Sequence, residues 1–358
     1  MPQSKFTIVV PTHERREILR RSIDYYKNFS CNILIADSSL EKMCCDFPDN
    51  IIYKHLPGKS FLKKILEVLQ TITTPYVCYS GDDDYLLETG LQEAAHFLDS
   101  NLDFSSVQGR YLKFELTENK VVFSPRYNKR ASCYSVTDEN VYSRIIKAYD
   151  PYMAQFASIH RTNIFTKSCR SASDISSAWM VELTSVIVPM CYGKHKVLPI
   201  LWMVRDSFKF YSPNVYKNPK PKKSDNSLIS SYRGHQHALN EIKLFLNSKE
   251  SLLFKSKLAA EISELIGGVK ESDKIFNAAF KSCTNWLIKD RNKCIIKIIV
   301  KSLIPAWITN KYRERKSNQH MGDVDTTSSS KDALNKIRFS VLAFAKIYNN
   351  SNKHKIKT

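Results

Sequence analysis

Over residues 5–98 the chain alternates short apolar, β-branched runs with segments whose apolar positions recur every three to four residues. Lys5–Val10 reads as a buried strand stopped by Pro11. Glu14–Phe29 follows as a helix, with Ile18, Leu19, Ser22, Ile23 and Tyr26 on one face and Arg15, Arg16, Arg20 and Arg21 largely on the rest. Asn32–Ala36 and Ile51–His55 are the next strands. Ser60–Thr71 is a helix that Ser60 can cap. Pro75–Ser80 is a fourth strand and Glu88–Leu98 another helix. Strands alternating with helices over short connections predict an α/β fold with a mostly parallel sheet covered by helices.

Periodicity is weaker in the middle of the chain. Phe104–Phe114 and Val121–Phe123 read as paired strands, Val141–Tyr149 as a helix, and Gln155–His160 and Val197–Val204 as strands. Trp179–Cys191 reads as a buried helix broken at Pro189. Pro213–Asn226, with Lys217, Lys220, Lys222 and Lys223 among its prolines, reads as a crossing loop. Beyond it the pattern is helical: Leu239–Leu246, Leu252–Ile266 ended by Gly267 and Gly268, and Ile275–Ile288. Gly322–Lys331 is a polar link before a last helix at Ala333–Tyr348. The expected organisation is a catalytic domain over 1–212 (halves 1–115 and 116–212), the crossing 213–226, and a helical basic region over 227–358. No internal repeat is visible.

Charge sharpens that division. Residues 1–210 hold 26 basic and 23 acidic side chains, and residues 211–358 hold 28 and 12. The formal charge of +19 is therefore concentrated in the C-terminal part, the part suited to an anionic surface. The most apolar long stretch, Ile175–Gly193, contains Glu182 and Pro189, so no membrane-spanning helix is expected. The N-terminus lacks the pattern of a signal peptide, and a cytoplasmic location is expected. The nine cysteines contain no Cys-x-x-Cys, and buried free thiols explain them better than disulfides or a zinc site. No aromatic pattern interleaves with the basic residues, so nucleic acid is not the expected partner; a basic nucleic-acid-binding protein or a non-catalytic scaffold is the rival reading. A Gly-rich phosphate loop after the first strand, the mark of a nucleotidyltransferase, is absent from the sequence.

The polar ends of the strands carry the chemistry. The first strand ends in Pro11-Thr12-His13-Glu14-Arg15, the second in Asp37-Ser38-Ser39 and the fourth in Asp82-Asp83-Asp84. In a parallel sheet these loops share one edge, where ligands bind. Carboxylates gathered there with few nearby cations call for a divalent ion, and hard oxygen ligands suit Mg²⁺ or Mn²⁺ bridging a nucleotide diphosphate.

In this order, Phe6-Thr7-Ile8-Val9-Val10-Pro11-Thr12-His13-Glu14-Arg15, Ile35-Ala36-Asp37-Ser38-Ser39, and Thr74-Pro75-Tyr76-Val77 leading to Asp82-Asp83-Asp84 resemble a family 2-like glycosyltransferase of the GT-A fold. The resemblance covers residues 1–115 closely and 116–210 loosely. It implies inverting transfer of a hexosyl group from a nucleotide-sugar donor, a UDP-sugar first, to a saccharide or lipid-linked acceptor in bacterial surface-polysaccharide synthesis. Pro11, Thr12 and Arg15 would line the nucleotide pocket and Asp37 would contact the base. Asp82 and Asp83 would contact the donor, and Asp84 with Asp82 would hold Mn²⁺ or Mg²⁺.

Inversion needs a general base for the acceptor hydroxyl. Glu182, inside an apolar run, and Asp174 compete for that role. The family's Glu-Asp pair and later Gln-x-x-Arg-Trp are absent from the sequence, which argues against a processive polymerase. Arg205-Asp206 reads as either a phosphate-side cation with a partner or a local ion pair. In the basic region, Lys293, Lys297 and Lys301 share one face of a helix filled by Ile295, Ile296, Ile298 and Ile299. Residues 290–316 are therefore the expected contact with an anionic membrane at the inner face of the plasma membrane.

Overall fold

The computed structural model describes residues 4–117, 120–126, 134–152, 154–206, 227–303 and 328–355. Four parallel strands form the first half of a mixed sheet: β1 (Phe6–Thr12), β2 (Asn32–Asp37), β3 (Ile51–His55) and β4 (Tyr76–Tyr79). The short β5 (Tyr85–Leu86), long β6 (Phe104–Thr117), β7 (Lys120–Pro125), β8 (Ile159–Arg161) and β9 (Lys194–Asp206) complete it. The order is β3-β2-β1-β4-β8-β6-β9-β5, with β7 antiparallel to β6. β9 runs parallel to β6, while β8 runs antiparallel to both β4 and β6. The result is the expected α/β architecture, a mostly parallel sheet flanked by helices.

Side chains alternate across β1 as a strand buried on both faces requires. Phe6, Ile8 and Val10 point into a core shared with α1 (Arg16–Tyr26) and α3 (Glu88–Ser100). Val9 points into the core on the other face, which α2 (Phe61–Leu69), α5 (Thr162–Ser171), α6 (Ala178–Thr184) and α7 (Ile187–Tyr192) cover. The same core takes in α4 (Val141–Tyr149), α8 (Ser227–Leu246), α9 (Lys249–Ile266) and α10 (Val269–Leu303) through Ile145, Ile242, Phe245, Phe254, Phe276 and Phe280. The C-terminal helices are thus built into the same core as β1, β2 and β4. The last helix, α11 (Ser328–Lys355), returns to the far edge, where Ile337 and Val341 pack with Tyr85, Phe114 and Phe123.

Several expectations change. The first helix starts later than Glu14, because Glu14 takes a positive φ of 51°. Ser39 Oγ accepts its N–H at 2.7 Å, and its own carboxylate accepts Leu40 N–H at 2.7 Å, tying the β1–α1 turn to the turn after β2. Ser60 stands at the N-cap of α2, but its side chain makes no capping bond. The Trp179–Cys191 helix is two helices parted at Ser185–Val186, upstream of Pro189. Pro189 falls in the first turn of α7, where its missing N–H leaves no helical bond unmade. Ile275–Ile288 and the start of the Lys293 segment are one helix of 35 residues. The Pro213–Asn226 crossing and residues 304–316 lie outside the described residues.

Candidate functional site

From β1 the chain steps outward to β2 and β3, then returns on the other side of β1 as β4. That reversal opens a crevice at the carboxyl ends of β1 and β4, where open α/β sheets bind ligands. The predicted residues meet there. Register sets Pro11 beside Ala36 and Thr12 beside Asp37. Across the reversal, Thr12 Oγ1 donates to Asp82 Oδ2 at 2.7 Å. The turn after β4 is held from below as well: Ser22 Oγ donates to the Asp82 carbonyl at 2.6 Å, and Tyr26 Oη to that of Asp84 at 3.3 Å.

Cations are abundant here, contrary to expectation. Arg15, at the N-cap of α1, spans two of the acids, with Asp82 Oδ1 and Asp83 Oδ2 each at 2.8 Å. Arg205, at the end of β9, donates from Nε to Asp84 Oδ2 at 3.1 Å, and the Asp206 N–H donates to Asp84 Oδ1 at 3.2 Å. Arg205 is therefore a partner of the triple Asp. Arg21 leaves the exposed face assigned to it: it is buried, 3.5 Å from Asp206, donates to the Asp83 carbonyl at 3.1 Å and lies over the Tyr85 ring. The N-cap and body of α1 thus bring two guanidinium groups to this turn, Arg15 to the Asp82 and Asp83 carboxylates and Arg21 to that of Asp206.

Even so, the acids are not fully compensated. Burial pushes the Asp82 carboxyl up to about 6; Arg15 opposes the shift and Asp83 adds to it. Burial raises Asp84 in the same direction against the pull of Arg205, with Asp83 and Asp206 adding to the rise. Oxygen donors that burial holds back from ionising fit a hard divalent cation, which favours their charged form. Among the described residues the three aspartates do not converge with one another or with a His or Cys into a ready-made nest. Such an ion would draw on Asp84 and Asp82 and leave positions for water and substrate phosphate.

Asp37 is buried and committed to its own turn. It accepts Ser39 N–H at 2.8 Å, Ser39 Oγ at 2.5 Å and Tyr53 Oη at 2.7 Å. His13 lies at the rim, 3.2 Å from Ser38 Oγ. Sequence reasoning missed Lys64. It is buried beneath the crevice, donating to the Thr12 carbonyl and, at 3.0 Å, to Ser38 Oγ. Burial lowers its ammonium to about 8, although Asp37 and Asp82 pull it upward. Its signal was a lysine on the Phe61, Leu62, Ile65, Val68 face of an apolar helix.

The two candidate bases separate. Glu182 on α6 is partly buried, and desolvation raises its carboxyl while Arg205, Arg126 and the Tyr152 hydroxyl oppose. It shares the field of Arg205 with Asp84. Asp174 instead pairs with Lys257 at 2.5 Å, in a groove beside Lys59 and Lys63. No described bond joins it to the aspartate cluster.

No protein-family model matches the chain, and no curated protein matches it. Among solved structures it is similar to TarS of S. aureus, at 14% identity and a TM-score of 0.40, over 74% of this chain and 44% of that one. Residues 1–349 of TarS in complex with UDP-GlcNAc match at 14% identity and a TM-score of 0.42, over 81% of this chain and 92% of that one. The complex of the same piece with UDP gives the same figures. This chain therefore spans less than half of the longer TarS chain. At such identities and TM-scores the likeness assigns no residue, and what the crevice does chemically rests on its own side chains.

Proposed function

We propose that the chain is an inverting, metal-dependent glycosyltransferase of the GT-A type that moves a sugar from a nucleotide diphosphate to a saccharide or lipid-linked acceptor. One observation supports it most. A run of acids, buried at Asp82 and Asp84, stands at the topological reversal of the sheet, and one arginine, Arg205, bonds Asp84 and also acts on the charge of the partly desolvated Glu182. In this reading one cation links a phosphate-handling group and a proton acceptor.

Asp84 and Asp82 would hold Mn²⁺ or Mg²⁺, which would supply positive charge for a departing diphosphate. The chain's own residues do the rest. Pro11 and Thr12 wall the nucleotide side, Arg15 fixes Asp82 and Asp83, and the turn of Asp37 shapes the base pocket. Glu182 takes the acceptor hydroxyl proton, a task suited to a carboxylate raised by desolvation.

TarS structures contain UDP and UDP-GlcNAc, so these are the first probes to use. Asp84→Ala is expected to abolish Mn²⁺-dependent hydrolysis of, or transfer from, UDP-sugars, a loss of at least about 100-fold. Its melt should stay cooperative at a lowered melting temperature, since Arg205 Nε and the Asp206 N–H lose the carboxylate that accepts from them. Parent-level turnover in a folded Asp84→Ala protein overturns the reading.

A further inference from the structure

We propose that His235, Asp290 and Cys294 form a zinc-class metal site, separate in place and in donor chemistry from the aspartate crevice. The ligand atoms, an imidazole nitrogen, a carboxylate oxygen and a thiol sulfur, all lie within 4.8 Å of one another. Asp290 and Cys294 are four residues apart on α10 and so share a face. His235 comes from α8, which packs along α10. A scan for paired cysteines overlooks such a site, because it has one sulfur and its third donor lies on another helix.

Distances support coordination. Tetrahedral zinc with bonds of about 2.0 Å to nitrogen and oxygen and about 2.3 Å to sulfur sets the N and O ligands about 3.3 Å apart, and the sulfur about 3.5 Å from each. His235 Nε2 and Asp290 Oδ2 are 3.3 Å apart. The sulfur needs to approach by little more than an ångström, within reach of a χ1 adjustment.

Burial is graded as a three-ligand site requires. Cys294 is buried, the His235 side chain is 15% exposed and that of Asp290 is 40% exposed. A fourth, water ligand therefore enters from the Asp290 side. The helix pair is already braced there: Arg291 donates to Gln236 Oε1 at 2.9 Å, and the Trp286 ring meets His235 edge-on. Mixed N, O and S donors favour Zn²⁺ and its neighbours Co²⁺ and Ni²⁺ over Mg²⁺ or Mn²⁺. On binding, the Cys294 thiol gives its proton to solvent and the thiolate sulfur donates its electron pair to the metal, so each metal taken up releases one proton from this residue.

The test uses the full chain, stripped with chelator and titrated with Co²⁺ and then Zn²⁺. One equivalent of Co²⁺ should give a near-ultraviolet thiolate-to-cobalt charge-transfer band with strong visible ligand-field bands, quench Trp286, and be displaced by Zn²⁺ but not by Mg²⁺. Cys294→Ser should remove the charge-transfer band, and both it and His235→Ala should weaken Zn²⁺ binding by more than about tenfold. A double Cys44→Ser, Cys45→Ser variant, which deletes the exposed neighbouring thiols, should bind like the parent. Zn²⁺ should raise the melting temperature of the parent and of that double variant, but not of Cys294→Ser. If Cys294→Ser fails to fold, His235→Ala reads the same loss. The proposal fails if the parent takes up no Co²⁺, if uptake disappears with Cys44 and Cys45, or if folded Cys294→Ser and His235→Ala bind as the parent does. The three side chains are then an ion pair beside a buried thiol.

Discussion

At the scale of residues, the arginines decide how the crevice is read. Arg15, Arg21 and Arg205 converge on one turn from two elements far apart in sequence. Periodicity put Arg21 on the exposed side of the first helix because its charge outweighed its position. The structure buries it, because Asp206, the Asp83 carbonyl and the Tyr85 ring supply what water would. Arg21→Met should therefore cost about 3–5 kcal/mol, read as a shift in a urea midpoint, since Asp206 loses its Arg21 partner in a buried place. Glu182 is the complementary case. Its place inside an apolar run was legible, and so was the cost of burying it; its nearness to Arg205 was not, because Arg205 arrives on another strand. Glu182→Gln should lower turnover by about 100-fold or more while UDP affinity stays within about twofold of the parent. Calorimetry with UDP and single-turnover kinetics separate the two quantities, and a large loss of UDP affinity would assign Glu182 a structural role.

At the scale of elements, local pattern identified those with one apolar face or two. The β1–β4 strands, α3, α4 and α9 emerge close to their periodicity because each buries its apolar positions against immediate neighbours. Element lengths depart from the local pattern where tertiary contacts decide, as in β9. It runs from Lys194 to Asp206, through His195 and Pro199, because β6 pairs along most of it. His195 makes a polar interior there. It lies 2.8 Å from Ser106 Oγ, and Ser106 also registers with His160 on β8. Burial lowers His160 to about 4 and His195 to about 3, the charge of His160 adding to the latter. Both sit below the ordinary value of 6.5, so the unfolded chain binds the extra protons. The stability these rings contribute is complete above pH 6.5 and is lost as pH falls toward 4, each ring giving up about 2 kcal/mol by pH 5. Asp82, raised to about 6, takes up a proton in the folded state over that window and offsets part of the loss. His195→Asn, which keeps a partner for Ser106, should shrink the drop in unfolding free energy between pH 7 and pH 5 by about 2 kcal/mol, measured by urea titration at both pH values.

At the scale of the whole molecule, charge and core divide the chain differently. Excess positive charge belongs to residues 211–358, yet α8 to α10 share one apolar core with β1, β2 and β4. Helix α11 lies near the acids too, with Ser340 Oγ 3.4 Å from Tyr85 Oη. A truncation at residue 290 would therefore remove part of the fold along with any surface it carries, and point substitutions are the cleaner probe. Among the described residues no helix is long and apolar enough to cross a membrane. One face of α10 nonetheless leaves Ile288, Ile295 and Ile296 exposed at 37%, 38% and 60%, beside exposed Lys289 and Lys293. On an anionic bilayer these isoleucines would insert at the acyl boundary with the lysines at headgroup level, each lysine contributing about 1 kcal/mol near the surface. The chain is expected to float with vesicles containing phosphatidylglycerol and to stay behind with pure phosphatidylcholine. Salt should weaken the association, and Ile288→Glu with Ile296→Glu should abolish it while leaving Mn²⁺-dependent UDP-sugar hydrolysis unchanged. Equal flotation with both lipids, or none with either, would remove the membrane from this face. Competition by random DNA at the same salt would assign the positive charge to nucleic acid instead.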